Sequence, residues 1–165
     1  MATLDINAAP ETKILRAFET ILKCDPTLKR VVKVWRTWRE KPGQNPPFAI
    51  AQVPPGQVAI RITPTNGPDE WLFPGTFKGA VYLHFECLIQ GGDADDPLNL
   101  WHAIKLAFYT GVANTQNANQ QALIAAGAYT GLPLFSAPFG YAGTDATFWE
   151  CQGTCKIETM LTFNS

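Results

Sequence analysis

FKGAVYLHFECLIQGGDADDPLNLWHAIKLAF, residues 77 to 108, changes its hydrophobic period halfway along, and that change sets the fold class. In its first half Val81, Leu83, Phe85, Cys87 and Ile89 alternate with Tyr82, His84, Glu86, Leu88 and Gln90. A two-residue period is that of a strand with two unlike faces. In its second half Leu98, Trp101, Ile104, Lys105 and Phe108 fall at helical spacing, Lys105 being the polar exception on the stripe. Between the halves stand Gly91, Gly92 and the aspartates Asp93, Asp95 and Asp96. A calcium loop starting at Asp93 would place Pro97 at the third ligand position, Leu98 at the glycine position and Ile104 at the twelfth, so the pattern fails. Asp96 followed by Pro97 fits a helix cap instead. A carboxylate can accept an orphan N–H, proline has no N–H to orphan, and extra acids suit the helix dipole.

Outward from this stretch, the same reading extends to both ends of the chain. Pro10 opens a helix to Lys23, with Ile14, Leu15, Phe18, Ile21 and Leu22 on one stripe, and Asp25-Pro26 ends it. Residues 27–38 read as a Val- and Trp-rich strand, and 41–47 as a loop. A short strand is expected over 48–53 and another over 57–63, where Val58, Ile60 and Ile62 alternate with Ala59, Arg61 and Thr63. Trp71-Leu72-Phe73 forms an apolar patch between prolines. At the other end, residues 146–163 read as one long strand or two, with Gly153 as the expected bulge or bend. The order helix, strands, helix, final strand gives an α+β fold: a mainly antiparallel β-sheet flanked by an N-terminal helix and a second helix after the central long strand.

Residues 111–143 change character. Ala, Asn, Gln and Gly dominate, no residue is charged, and a helix is expected only over 117–126. The segment reads as an insertion or extended excursion on a single domain spanning 1–165. Its deletion is expected to leave the fold intact and change assembly.

Composition bounds the function classes. Hydrophobic residues at 46% and charged residues at 16% describe a folded chain with less charge than the roughly 25% usual for soluble domains, which suggests that a partner covers uncharged surface. The net charge of −1 is unevenly spread: residues 1–61 hold ten Lys and Arg against five Asp and Glu, whereas 62–165 hold three against nine. A chain with one basic and one acidic half can stack head to tail with its own copies. The N-terminus lacks the pattern of a signal peptide and no run approaches a membrane span, so the expected address is cytosolic and the four cysteines are expected to be reduced.

Catalytic and metal patterns are weak. Cys151 and Cys155, with His84 and His102 as the only histidines, would have to bend a strand to share one zinc; buried thiols are the simpler reading. Cys87 shares a strand face with Val81, Leu83, Phe85 and Ile89 and is expected to face the core. His84 and Glu86 share the other face, where a polar pair is ordinary. A hydrolase or ligand-binding domain built on His84, Glu86 and Cys87 is one alternative, without a substrate to match. The stretch KRVVKVWRTWREK, 29–41, carries six Lys and Arg around Trp35 and Trp38, the ingredients of nucleic-acid backbone binding and of protein interfaces alike. No catalytic residue, cofactor or metal is assigned.

The arrangement itself then carries most. Helix 10–23, strands through 90, GGDADDPLNLWHAIKLAF and a closing strand ending in KIETMLTF resemble the tail terminator proteins of long-tailed bacteriophages and the related tail-completion proteins of the neck. In that family an extended strand runs into an Asp-rich turn and an amphipathic helix, as Val81–Phe108 does. The resemblance implies a non-enzymatic virion protein that forms a sixfold ring on the head-proximal end of the tail tube. Such a ring ends tube polymerisation and meets the tail tube protein and a head-completion or neck protein, with DNA passing through its lumen without specific binding. It implies a virion address, reached from the host cytoplasm during assembly. The interface residues expected on this reading are Arg30, Lys33, Arg36, Trp38, Arg39, Trp71, Leu72 and Phe73. The alternatives are a small nucleic-acid-binding module using 29–41 and another neck or minor tail protein.

Overall fold

The computed structural model describes residues 10–37, 57–66, 70–91, 93, 95–109, 117–142 and 148–162. Helix α1 (Pro10–Cys24) opens the chain and buries Ile14, Leu15, Phe18, Ile21 and Leu22, the stripe expected of it. Next come α2 (Pro26–Val31), β1 (Val32–Thr37), β2 (Val58–Asn66), β3 (Glu70–Phe73) and β4 (Thr76–Gln90). They are followed by α3 (Asp96–Tyr109), α4 (Ala118–Ala125), β5 (Leu134–Phe135), β6 (Phe139–Ala142) and β7 (Phe148–Thr162). One sheet runs in the order β1-β2-β4-β7-β5, with β3 also pairing β4 and β6 pairing β7. Every pairing is antiparallel except β1 with β2. The α+β class, the N-terminal helix and the helix after the central long strand are as the sequence led one to expect.

The ladder between β4 and β7 organises the rest. It runs in unbroken register from Thr76 opposite Thr162 to Gln90 opposite Phe148. One face presents Leu83, Phe85, Cys87, Cys151, Cys155 and Ile157 to the helices, all buried. Trp101 of α3 lies on this face, edge-on to Phe85 with ring centroids 5.4 Å apart, while Phe18 of α1 stacks on Phe108 at 4.1 Å. A single hydrophobic cluster joins residues from Ile14 to Ile157.

Three expectations are corrected. Residues 26–31 are helical, not the start of a strand. Asp25 Oδ1 accepts from the backbone N–H of Thr27 at 3.0 Å and of Leu28 at 2.9 Å, and Pro26 sits in the first turn, so the Asp-Pro pair that ends α1 also starts α2. Gly153 makes no bulge, because the register passes through it opposite Phe85. It is glycine because an added β-carbon would run into the six-membered ring of Trp101. The strand expected over 48–53 lies outside the described residues.

The third correction concerns the charge-free segment. Residues 128–142 run antiparallel along the outer edge of β7: Ala128 opposite Thr159, Leu134 opposite Lys156, Phe135 opposite Cys155, Phe139 opposite Gln152 and Ala142 opposite Glu150. Pro133 and Pro138 break that line into short pieces, since proline donates nothing to a ladder. Leu123 and Ala128 are buried in the core, and Phe135 packs against Trp101 and Phe108. Asn117 caps α4 through a 2.9 Å bond from the Asn119 N–H, and its Nδ2 donates to the Phe108 carbonyl at the end of α3. Asn119 Nδ2 likewise donates to the Ala107 carbonyl. The asparagines thus satisfy backbone groups that two helix ends leave open. A deletion of 111–143 would remove core and sheet together, not a dispensable excursion.

Candidate interaction site

The acidic turn before α3 is built as punctuation. Asp93 Oδ1 accepts from the Asp95 N–H at 3.0 Å, and Asp96 Oδ2 accepts from the Asp93 N–H at 3.0 Å, so the two carboxylates satisfy two backbone donors where the chain leaves the sheet. Asp96, expected as the cap, is instead the first residue of α3: its carboxylate bonds backward to Asp93, outside the helix, and the Asp95 carbonyl accepts the first bond within the helix, from the Asn99 N–H. Pro97 is buried just inside α3. Among the described residues no group of three or more His, Cys, Asp or Glu side chains gathers as a metal site would require.

The fold spreads the residues considered for catalysis over both faces of the sheet and the exposed side of α3. Cys87 and Cys151 face each other across the ladder in the core. The hydrogen bond between them and burial push the Cys87 thiol well above its ordinary value, while the same bond draws Cys151 down. Burial raises Cys155 as well. Glu86 takes Arg61 Nε of β2 on the open face of the sheet. On the same face Lys78 and Lys156 each approach Glu158 Oε1 at 3.2 Å. His102 stands exposed on α3, away from the core face that holds Cys87.

Two surfaces differ from this ordinary exterior, and they lie toward opposite ends of the sheet. At the β1 end, a groove of about 460 Å³ opens between α2, the start of β2, the end of β4 and the first half of α3. Ile89 and Leu100 form its buried floor, Val31 one wall, and Arg30, Lys33 and Asp96 its polar lining. Arg30 and Lys33 are exposed, and Lys23 covers the ring of the neighbouring Trp35 at 5.9 Å. Sequence reasoning singled out Arg30, Lys33 and Asp96 separately; the fold brings them to one groove. It missed the apolar surface: Ile89 read as an ordinary core residue of a strand, Val31 fell in a stretch expected to be extended, and Leu100 was left off the helical stripe.

At the β5 end the surface is apolar. Leu134 is 57% exposed and Tyr129 53%, with Leu132, Ile124, Leu106 and Tyr109 also exposed. The backbone beneath them is fixed. Tyr109 Oη donates to the Pro133 carbonyl at 2.8 Å, and Gln120 Nε2 donates to the Thr130 carbonyl at 2.8 Å. Gly131, at φ +64°, lies so close to α4 that a β-carbon there would meet the Gln120 carbonyl and the Ile124 side chain. Sequence reasoning named none of these residues; the absence of charge over 111–143 was the one available signal.

Leu72 is exposed on β3, beside the start of β4 and away from the groove at its end. The side chains of Arg36, Trp71 and Phe73, and residues Trp38 and Arg39, lie outside the described residues, so the basic stretch is described only as far as Thr37. Among the described residues no helix is long and apolar enough to cross a membrane. The chain matches no family model and no curated protein.

Proposed function

We propose that this chain is a structural virion protein, a tail terminator that forms a sixfold ring at the head-proximal end of a phage tail tube. The ring ends polymerisation of the tube and presents a face to the head-completion or neck protein. The observation that supports the reading most is the unlike chemistry of the two ends of the sheet. A ring is a closed heterologous assembly, in which each copy offers one surface to the copy before it and a different one to the copy after. An end grooved beside Arg30 and Lys33 and an end that exposes Tyr129, Leu132 and Leu134 are surfaces of that kind. On this reading Arg30 and Lys33 make protein contacts, no cofactor takes part, and DNA passes through the lumen without being gripped.

The test is the solution mass of the purified protein at rising concentration, with negative-stain images of the heaviest species. A ring of about six 18.1 kDa subunits with an open centre is expected. A chain that remains monomeric both alone and with tail tubes would overturn it. One further reading has an observation of its own: Lys29, Arg30 and Lys33 are all exposed on α2 and the start of β1, as a nucleic-acid-binding module would need. DNA binding that weakens steeply with salt and is lost on Arg30→Ala with Lys33→Ala would favour that module over the ring.

A further inference from the structure

The buried thiols differ in what faces them across the sheet. We infer that Cys87 and Cys151 form a modification site, a thiol pair that a small peroxide closes into a cross-strand disulfide in the folded chain. This inference goes beyond the ring reading and stands apart from it.

Register is the first argument. Cys87 of β4 stands directly opposite Cys151 of β7 in an unbroken ladder, and both side chains enter the helix-covered face. Facing residues of antiparallel strands have α-carbons about 4.5–5.5 Å apart, inside the roughly 4.4–6.8 Å that a disulfide spans. Their β-carbons stand about 4.5–5.5 Å apart where a disulfide asks for about 3.8 Å, so closure needs a shift of about 1 Å. The other two cysteines have no such partner. Cys155 faces Leu83 and lies roughly 13 Å along the same extended strand from Cys151, and Cys24 is exposed at the end of α1.

Chemistry and access are the second. The two thiols share a hydrogen bond, which makes Cys151 the more acidic of the pair and so the attacking sulfur. The Cys151 thiolate attacks one oxygen of hydrogen peroxide, forming S–O as O–O breaks and hydroxide leaves. The Cys87 thiolate then attacks the sulfenic sulfur, forming S–S as S–O breaks and a second hydroxide leaves. Protons from the two thiols turn both hydroxides into water, and the two electrons the sulfurs lose are those that peroxide gains. Neither thiol is exposed, but the pair is the fourth rung from the end of the ladder, after Gln90 with Phe148, Ile89 with Trp149 and Leu88 with Glu150. Strand ends open locally at lower free energy than the middle of a sheet, which admits a molecule little larger than water. Closing the pair pins the end where β4 leads toward α3 and closes a chain loop across 64 positions (151 minus 87). It also removes the proton that Cys151 Sγ directs at the Pro97 carbonyl at 3.7 Å. A reducing compartment would keep the pair open and an oxidising one would harden the sheet.

Treatment of the folded Cys24→Ser chain with hydrogen peroxide tests it, the exposed thiol having been removed to prevent links between copies. After quenching, denaturation, alkylation and mass-spectrometric mapping, the expected product is one intrachain Cys87–Cys151 bond with Cys155 still alkylated. Its melting temperature is expected to rise by roughly 5–10 °C and to return on reduction with dithiothreitol. Cys155→Ala is expected to keep the bond and Cys87→Ala to lose it. Because the link is mapped in a chain whose core thiols are unaltered, the result stands whether or not the alanine variants fold. Three alkylated thiols after treatment, or a bond that includes Cys155, would overturn the inference. So would a Cys87–Cys151 bond that forms only when urea unfolds the chain first. An unchanged melting temperature would overturn the pinning of the ladder end.

Discussion

The two faces of the β4–β7 ladder are written in alternate residues of the same two strands, yet they do different work. The helix-covered face is continuous hydrocarbon, sulfur and aromatic ring: Leu83, Phe85, Cys87, Cys151, Cys155 and Ile157 beneath Trp101 and Phe18. The open face is a set of cross-strand and same-strand charges, Arg61 with Glu86 and Lys78 and Lys156 with Glu158. Apolar burial is worth roughly 25 cal/mol per Å², whereas exposed ion pairs contribute about 0–1 kcal/mol each. The covered face therefore holds the fold together and specifies the register, since a one-residue slip would turn its apolar set outward, while the open face keeps the sheet wettable.

The largest test of that contrast is Trp101→Ala. The indole packs on Phe85 and Phe135, donates from Nε1 to the Ser136 carbonyl at 3.1 Å and covers Gly153. Its loss is expected to cost about 3–5 kcal/mol in urea unfolding. A cost no greater than that of removing an open-face charge would break the comparison. Next comes Gly153→Ala, where the added methyl would strike the Trp101 ring; about 1–3 kcal/mol of destabilisation is expected. Combining it with Trp101→Leu should cost less than the sum of the two single changes, because the clash disappears with the ring. Strict additivity would show that Gly153 answers to something other than Trp101.

The smallest effect is expected on the open face. The hydrogen bonds from Lys78 and Lys156 hold the Glu158 carboxyl below the ordinary carboxylate value. Because the folded-state value lies below the unfolded one, the cluster adds stability above the ordinary carboxylate value. That stability is lost as the pH falls through the depressed one. Melting temperatures of wild type and Glu158→Gln should differ slightly at pH 7, converge as the pH falls through the depressed carboxyl value, and converge at pH 7 in high salt. A difference that grows on acidification would reverse this assignment.

How far the sequence could be read varied with how local the cause was. The alternation of β4 and the stripe of α1 were legible because one face of each element is buried along most of its length. The α3 stripe was read only in part: Trp101, Ile104 and Phe108 are buried, but Leu98 is 47% exposed and Leu100 takes the buried place in the first turn. The first residues of the basic stretch were misread, since PTLKRV is too short to show a helical period and the strand-like valines follow at once. Gly153 was visible as a breaker, but its reason is an indole 52 positions earlier in the chain (153 minus 101), which no local pattern announces. The 128–142 edge was illegible for a related reason: prolines interrupt its alternation, and its hydrogen bonds go to a strand that comes later. Of the candidate site, the cations Arg30 and Lys33 could be named from composition. The groove that gathers them needed α2, β4 and α3 together, and the apolar surface at the β5 end gave no sign beyond the missing charge of 111–143.

The place of β7 in the sheet also sets a schedule. The strand that comes last among the described elements lies between β4 and the 128–142 edge, with Thr162 returning to Thr76 and Phe148 to Gln90. Until residues 148–162 have been synthesised, β4 lacks one neighbour, Trp101 lacks its floor and the 128–142 segment has no strand to follow. Folding must therefore wait on contacts distant in sequence, which form slowly and leave apolar edges uncovered meanwhile. A nascent chain stopped short of this strand would leave exposed the apolar surface of β4 and α3 that the complete sheet covers.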